Sequence, residues 1–279
     1  MKTFWTRAIK RLTSGAIIAL LSNFSFSSGA IASSTITQFA PASRPTLAQL
    51  PTTLEFVPPP IPDRGRPRGR RSGTASRGSC EATQLPLTAL VPTTQVNPGE
   101  TDTNISTINI AYESVLSLTT QPNPTLWFYT PYPLSETSIA FTLQDEQAQT
   151  LYERRWEPTA AGAAGGVVKV QIPETAVMLA EGDRYRWYLT AYCGENTSNF
   201  VEGWIERVPA EGLLTEDFAA ASPIEKAQTY AQQGIWQDAL TQLGTRSPED
   251  TDLEAAWITL LSSVGLEEIA QQPIINCCQ

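Results

Sequence analysis

The stretch from Gly182 to Cys193 constrains this chain more than any other. Tyr185, Trp187, Leu189, Ala191 and Cys193 alternate there with Arg184, Arg186, Tyr188, Thr190 and Tyr192. A period of two puts the first set on one face of a β-strand and the second on the other. In a helix the same residues would wrap the whole circumference and leave no polar side. The first face carries bulky apolar groups and ends in a cysteine, so it is the buried one. Such a strand requires a sheet with at least one packed face.

The flanking sequence repeats the pattern in short lengths. Candidate strands run through Leu87–Val91, Val115–Leu118, Thr125–Tyr129, Ile139–Leu143, Thr150–Trp156, Val167–Ile172 and Phe200–Val208. Turn residues separate them: Asn97-Pro98-Gly99, Gln121-Pro122-Asn123-Pro124, Asp145-Glu146 and the glycine-rich run 160–166. Pro173 ends its strand because it has no ladder donor. Short strands with regular turns and no intervening helices predict a mainly β fold, an antiparallel sandwich over residues 80–208. Leu179, Gly182 and Tyr185 have the spacing of a tyrosine corner, and Trp127 lies on a strand suited to a core tryptophan. Both point to an immunoglobulin-like sandwich, with a jelly roll as the other arrangement.

Residues 209–279 predict a small α-helical C-terminal segment. Ser222-Pro223-Ile224-Glu225 combines an N-cap serine, a proline at N1 and a glutamate at N3. Ser247-Pro248-Glu249-Asp250 repeats that logic. Gly234 ends the first helix, a second spans Ile235 to about Leu243, and a third runs from about Glu249 to Val264. Leu253, Ala256, Trp257, Leu260, Leu261 and Val264 form its apolar stripe. Tyr230, Gly234, Trp236, Asp238, Ala239 and Leu240 are similar to the turn and second helix of a tetratricopeptide repeat. Only about one and a half units fit, fewer than a solenoid needs. The helices are therefore expected to cap the sandwich or another chain.

At the other end, Lys2, Arg7, Lys10 and Arg11 precede an apolar run from Gly15 to about Phe26 and an Ala30-Ile31-Ala32 cleavage site. Residues 1–32 read as a signal peptide, with the mature chain starting at Ser33 in the periplasm or outside the cell. Residues 33–79 are rich in proline, serine and arginine and poor in large apolar residues, which predicts a disordered linker. Val57–Pro62 suits a polyproline stretch. Arg64, Arg66, Arg68, Arg70 and Arg71 follow it as a basic neck. After residue 77 the chain has eight basic and 26 acidic residues. An acidic body argues against nucleic acid as a partner. The neck is expected to meet an anionic surface: lipid headgroups, an acidic polysaccharide or the protein's own body.

The chain has no histidine. That removes the commonest general base near neutral pH and the commonest transition-metal ligand. Asp145, Glu146, Glu153, Glu202 and Glu206 are too many to single out a catalytic pair. Glu100 and Asp102 lack EF-hand spacing. No catalytic residue, metal or cofactor is expected.

In an exported chain the four cysteines default to disulfides. Cys193 ends the buried face of the central strand and Cys80 precedes the first strand. A Cys80–Cys193 bridge would tie the domain's entry to its core; two separate thiols are the alternative. Cys277 and Cys278 can bond to each other, link two chains or stay reduced, and a tail position argues against a packed role. Tyr188 and Tyr192 lie on the face opposite Trp187, and Tyr129 and Tyr132 lie near a strand end. These four are the candidate ligand surface, unless the helical segment covers Tyr188 and Tyr192.

Several motifs occur together: Arg71-Ser72-Gly73, Ser76-Arg77-Gly78 with Cys80, and Leu87-Thr88-Ala89-Leu90-Val91-Pro92. Pro124-Thr125-Leu126-Trp127-Phe128-Tyr129 with Pro131-Tyr132, Phe141-x-Leu143-x-Asp145, Tyr185-x-Trp187-Tyr188 with Cys193, and Val201-Glu202-Gly203-Trp204-Ile205 with Arg207-Val208 complete the set. In combination, over about residues 70–270, the chain resembles the domain-of-unknown-function family DUF928. The resemblance implies an exported cyanobacterial protein and supplies no activity, cofactor or catalytic residue. The expected function is a non-enzymatic binding or scaffolding module of the cell envelope, with a protein or glycan partner. The alternatives are an envelope-glycan binding protein or hydrolase, and a structural subunit disulfide-linked through its tail.

Overall fold

The computed structural model describes residues 54–60, 64–73, 80–97, 111–159, 164–213, 215–245, 247 and 249–278. The expected signal peptide, the first part of the expected linker, Ser76-Arg77-Gly78, Pro98-Gly99, Glu100, Asp102 and residues 160–163 lie outside them. The described residues are mainly β. In chain order the strands are β1 (Thr88–Ala89), β2 (Thr94–Val96), β3 (Tyr112–Ser114), β4 (Leu116–Thr119), β5 (Thr125–Thr130), β6 (Ser138–Gln144), β7 (Thr150–Trp156), β8 (Gly166–Gln171), β9 (Arg184–Gly194) and β10 (Thr197–Arg207). One sheet has the order β1-β5-β8 and the other β4-β10-β9-β6-β7, while β2 and β3 pair separately. The pairings are antiparallel except that of β4 with β10, which is parallel.

The sheets face each other across aromatic side chains. Phe128 of β5 meets Trp187 of β9 with ring centroids 5.4 Å apart, and Phe141 of β6 at 6.3 Å. In register, Leu143 lies opposite Trp187, Phe141 opposite Leu189 and Ile139 opposite Ala191. These residues are buried, so the alternation of the central strand corresponds to its inner face. The Tyr185 hydroxyl accepts from the Ala180 amide at 2.9 Å, which fixes the chain's entry into β9.

Trp127, expected as a sandwich-core residue, points the other way. Phe128 takes the inner position of β5, so its neighbour Trp127 must project from the outer face. There a third layer covers it: α1 (Glu216–Ala220), α2 (Pro223–Gln232), α3 (Trp236–Gly244), α4 (Thr251–Ser262) and α5 (Glu267–Ala270). Trp127 meets Trp257 edge to face and donates its indole N–H to Thr241 Oγ1 at 3.1 Å. Its ring lies so close to Gly244 that a Cβ there would collide with it. Trp236 donates its indole N–H to the Leu90 carbonyl at 2.7 Å. The continuous apolar run of β5 follows from burial on both faces.

The helices start as their sequence signals predict, with one shift. Ser222 Oγ accepts from the Glu225 amide and Glu225 accepts from the Ser222 amide, a complete capping box. The Ser222 hydroxyl also donates to the Glu225 carboxylate at 2.7 Å, and that bond, with the one from the Ser222 amide, holds the carboxyl below its usual range. Before α4, Asp250 accepts from both the amide and the hydroxyl of Ser247, and it is Asp250, not Ser247, that stands at the N-cap position, with no side-chain bond into the helix.

The disordered-linker expectation does not hold for residues 54–60 and 64–73, which lie against the body. Leu54 and Phe56 are buried, and Phe56 packs edge to face on Trp236 at 5.0 Å. The later segment serves as a strap between sheets, with isolated bridges from Arg68 to Ser114, Arg70 to Glu202 and Ser72 to Thr88. Arg70 and Glu202 exchange backbone bonds of 2.8 and 3.0 Å. Gly69 is required where it crosses Val115 and the Glu202 carbonyl, since a Cβ would strike both. Composition missed this because the strap draws its order from backbone partners on three existing strands rather than from apolar side chains of its own.

Candidate functional site

The carboxy-terminal tail helps to build a hollow. Strand β8 is the edge of its sheet, and an open edge presents unpaired backbone groups. Residues 273–275 pair with it: Val167 donates to the Pro273 carbonyl and Ile275 donates to Val167, both at 2.8 Å, with a parallel bridge from Val167 to Ile274. Across the mouth of the sandwich, β7 is the edge of the other sheet. Between the two edges lies a hollow of about 580 Å³.

Three parts of the chain meet there. The tail supplies Ile275, Asn276, Cys277 and Cys278; the start of β6 supplies Thr137 and Ile139; β7 and the residues after it supply Arg155, Trp156, Glu157 and Thr159. Asn276 and Ile275 also line a second hollow of about 450 Å³, whose other wall includes Lys169 and Glu254. The tail is thus a partition between two depressions.

Cys277 and Cys278 are bonded to each other. Of the three fates open to them the structure takes the first, and it departs from the expectation of an unpacked tail: Cys278 is 4% exposed. Its φ of 68° is a left-handed value uncommon for a non-glycine residue. The order comes from the β8 edge, which binds the tail two residues earlier. Cys80 and Cys193 form the other disulfide, with Cα atoms 5.6 Å apart, and no described cysteine is free.

Arg155 joins the hollow to the outer face of the larger sheet. Its guanidinium pairs with Glu157 at 2.9 Å, donates to Ser138 Oγ at 2.7 Å and stacks over the Tyr192 ring at 4.5 Å. Tyr192 is therefore beside the hollow. Tyr188 lies farther along the same face under Arg186, which also pairs with Glu202. Both tyrosines are half-buried, and arginine side chains cover them where the helical segment was expected as the cover. Burial pushes the Tyr188 phenol up, against the nearby Arg186 charge.

Tyr129 and Tyr132 do not join them. They are 8% and 6% exposed. The Tyr132 hydroxyl accepts from Asn199 Nδ2 at 3.1 Å, and burial raises the Tyr129 phenol. A strand end that looked open is closed by the packing of its own neighbours. Sequence reasoning missed Trp156 and Arg155, placed on a hairpin with no sign that its outer strand borders a hollow. The one available signal was the apolar character of Ile274, Ile275, Cys277 and Cys278, unusual for a free tail.

The neck arginines contact the protein's own body. Arg64 pairs with Glu146 at 2.8 Å and donates to the Gly182 carbonyl at 2.7 Å, Arg68 stacks over Tyr112, and Arg70 over Phe200. Arg66 donates to the Pro59 carbonyl and Arg71 to that of Val264. Among the described residues there is no cluster of histidine, cysteine, aspartate or glutamate that could hold a metal, and no helix long and apolar enough to cross a membrane.

No curated protein matches the chain. A solved structure that does match is the Parabacteroides merdae beta-glucuronidase with glycerol in its active site, at 11% identity and a TM-score of 0.23. The match covers 55% of this chain and 26% of the enzyme, so the chain spans about a quarter of that protein's length. The family described as Domain of Unknown Function (DUF928) matches residues 72–274. That span takes in both facing sheets, the helical layer and the tail as far as Ile274, and the chain belongs to this family.

Proposed function

We propose that the protein is a non-enzymatic binding module of the cell envelope, exported to an oxidising compartment, and that the hollow between β7 and the tail holds its ligand. The observation that carries this is the hollow itself. Its volume falls within the range of small-molecule sites, and it is assembled where the β6–β7 hairpin meets the distant carboxy-terminal tail. Its ionisable lining groups are Arg155 and Glu157, paired with each other. Such a pair lacks the two separately poised carboxyls that glycoside hydrolysis requires, which favours binding over catalysis.

The scaffold fits the same role. The sheet orders, the parallel β4–β10 pairing and the Tyr185 hydroxyl bond support an immunoglobulin-like sandwich. The two disulfides suit export. With both pairs closed within one chain, no thiol is left to link subunits through the tail.

The test is capture of envelope material by the immobilised full-length protein. Retention of a defined component that is lost with Trp156→Ala and kept with Tyr188→Ala supports the assignment. Equal retention by wild type and Trp156→Ala moves the function away from the hollow.

A further inference from the structure

We propose that the hollow takes a neutral sugar ring, held between the Trp156 indole and the Cys277–Cys278 disulfide with its hydroxyls on Arg155, Glu157 and Asn276. This rests on the reading of the hollow as the ligand site and adds the class of ligand.

The lining has two kinds of surface. Trp156 offers an aromatic plate that the Arg154 guanidinium also stacks over, 5.2 Å from its centroid. The vicinal disulfide closes Cys277 and Cys278 into a small ring, which turns two flexible tail residues into a second stiff apolar surface. Both line the same space. The polar groups of the lining are the Asn276 amide, the Thr137 and Thr159 hydroxyls, and the Arg155 guanidinium and Glu157 carboxylate, the last two in contact at 2.9 Å. An ion pair of this kind presents a row of donors beside a row of acceptors and carries no net charge.

Each competing ligand class conflicts with part of this lining. An anion finds its attraction to Arg155 cancelled by Glu157. A purely aliphatic ligand strips water from the ion pair and amide and returns no hydrogen bond. A sugar ring has apolar C–H faces that stack on aromatic plates, and a rim of hydroxyls that each donate and accept. Arg155 is held ready by Ser138 and Tyr192, so little ordering remains to be done on binding.

Saturation-transfer NMR of the full-length protein with cellotriose, chitotriose and maltotriose, each at millimolar concentration, tests the assignment, with trigalacturonate as the anionic comparison. At least one neutral trisaccharide should show transfer to its ring protons. Trp156→Ala, and separately Cys277→Ser with Cys278→Ser, should weaken that binding by roughly tenfold or more, a loss of about 1.4 kcal/mol. Tyr188→Ala should retain it, at unchanged melting temperature. Transfer to none of the neutral sugars, transfer to trigalacturonate alone, or binding indifferent to Trp156→Ala overturns the sugar. If envelope capture still depends on Trp156 in that case, the binding reading stands and only the ligand class falls.

Discussion

Trp127 of β5 and Trp257 of α4 meet edge to face with their ring centroids 5.4 Å apart. This contact makes the helical layer part of the core rather than an appendage. A sandwich deprived of it would expose the outer face of β5, where Trp127 is otherwise fully buried. The family match, which runs through both layers, agrees with one cooperative unit.

Trp257→Ala should therefore cost about 3–5 kcal/mol, the usual range for emptying a large aromatic site in a core. Tryptophan fluorescence and far-UV circular dichroism should follow one denaturation curve, shifted as a whole. A variant whose helices melt separately while the sheets keep wild-type stability would refute the coupling.

Gly244→Ala tests the same junction from the other side. A methyl group there must displace the Trp127 ring, and overpacking of this kind costs about 1–3 kcal/mol. In a free helix the same change would stabilise, since alanine is the better helix former by about 1 kcal/mol. A raised melting temperature would show that the ring does not rest on that backbone.

What the sequence reveals here depends on whether a residue's environment is local. Tyr185 to Ala191 read correctly because alternation alone specifies which side is buried, and Ser222 with Glu225 read correctly because a capping box closes over four residues. Trp127 and Phe128 are adjacent and both apolar, so nothing local says which faces the other sheet and which the helices. Arg70 looks like a linker residue because its partner, Glu202, is supplied from far along the chain. The Trp156 hollow depends on a tail that finds the β8 edge, a long-range pairing with no short-range signature.

The strap leads to a protease prediction. Arg64, Arg66, Arg68, Arg70 and Arg71 are bonded or stacked in place, and the segment's backbone bridges three ladders. Cleavage needs an extended, detached substrate. Native-state trypsin, followed by mass spectrometry, should spare the bonds after Arg68, Arg70 and Arg71. Rapid cutting there would mean the strap is detached in solution.

The Cys80–Cys193 bridge closes a sequence separation of 113 residues. In the chain-entropy account a loop of that length contributes about 4–5 kcal/mol. Cys80→Ser with Cys193→Ser should lower the denaturation midpoint accordingly, and peptide mapping without reduction should recover the two cysteines joined. Cys193 recovered as a free thiol from folded, oxidised protein would exclude the bridge.

Asp238 supplies a pH dependence of stability. It is 4% exposed at the joint between α3 and β4, where Thr119 Oγ1 donates to one carboxylate oxygen at 2.6 Å and the Thr120 amide to the other at 2.9 Å. Burial raises its pKa above the model-compound value of 3.8, and the threonine bonds only partly offset the rise. The folded state then binds this proton more tightly than the unfolded chain does. The folded protein bears a charge penalty above the raised value, and the penalty shrinks as pH falls toward 3.8. Asp238→Asn removes the titrating group while keeping its shape; the amide oxygen can accept from Thr120, and the amide nitrogen can donate to a rotated Thr119 hydroxyl. In urea denaturation from pH 7 to pH 4, the stability of wild type relative to Asp238→Asn should rise as pH falls through the raised value. A difference that stays flat across that range would mean the carboxylate is as well solvated by its threonines as by water.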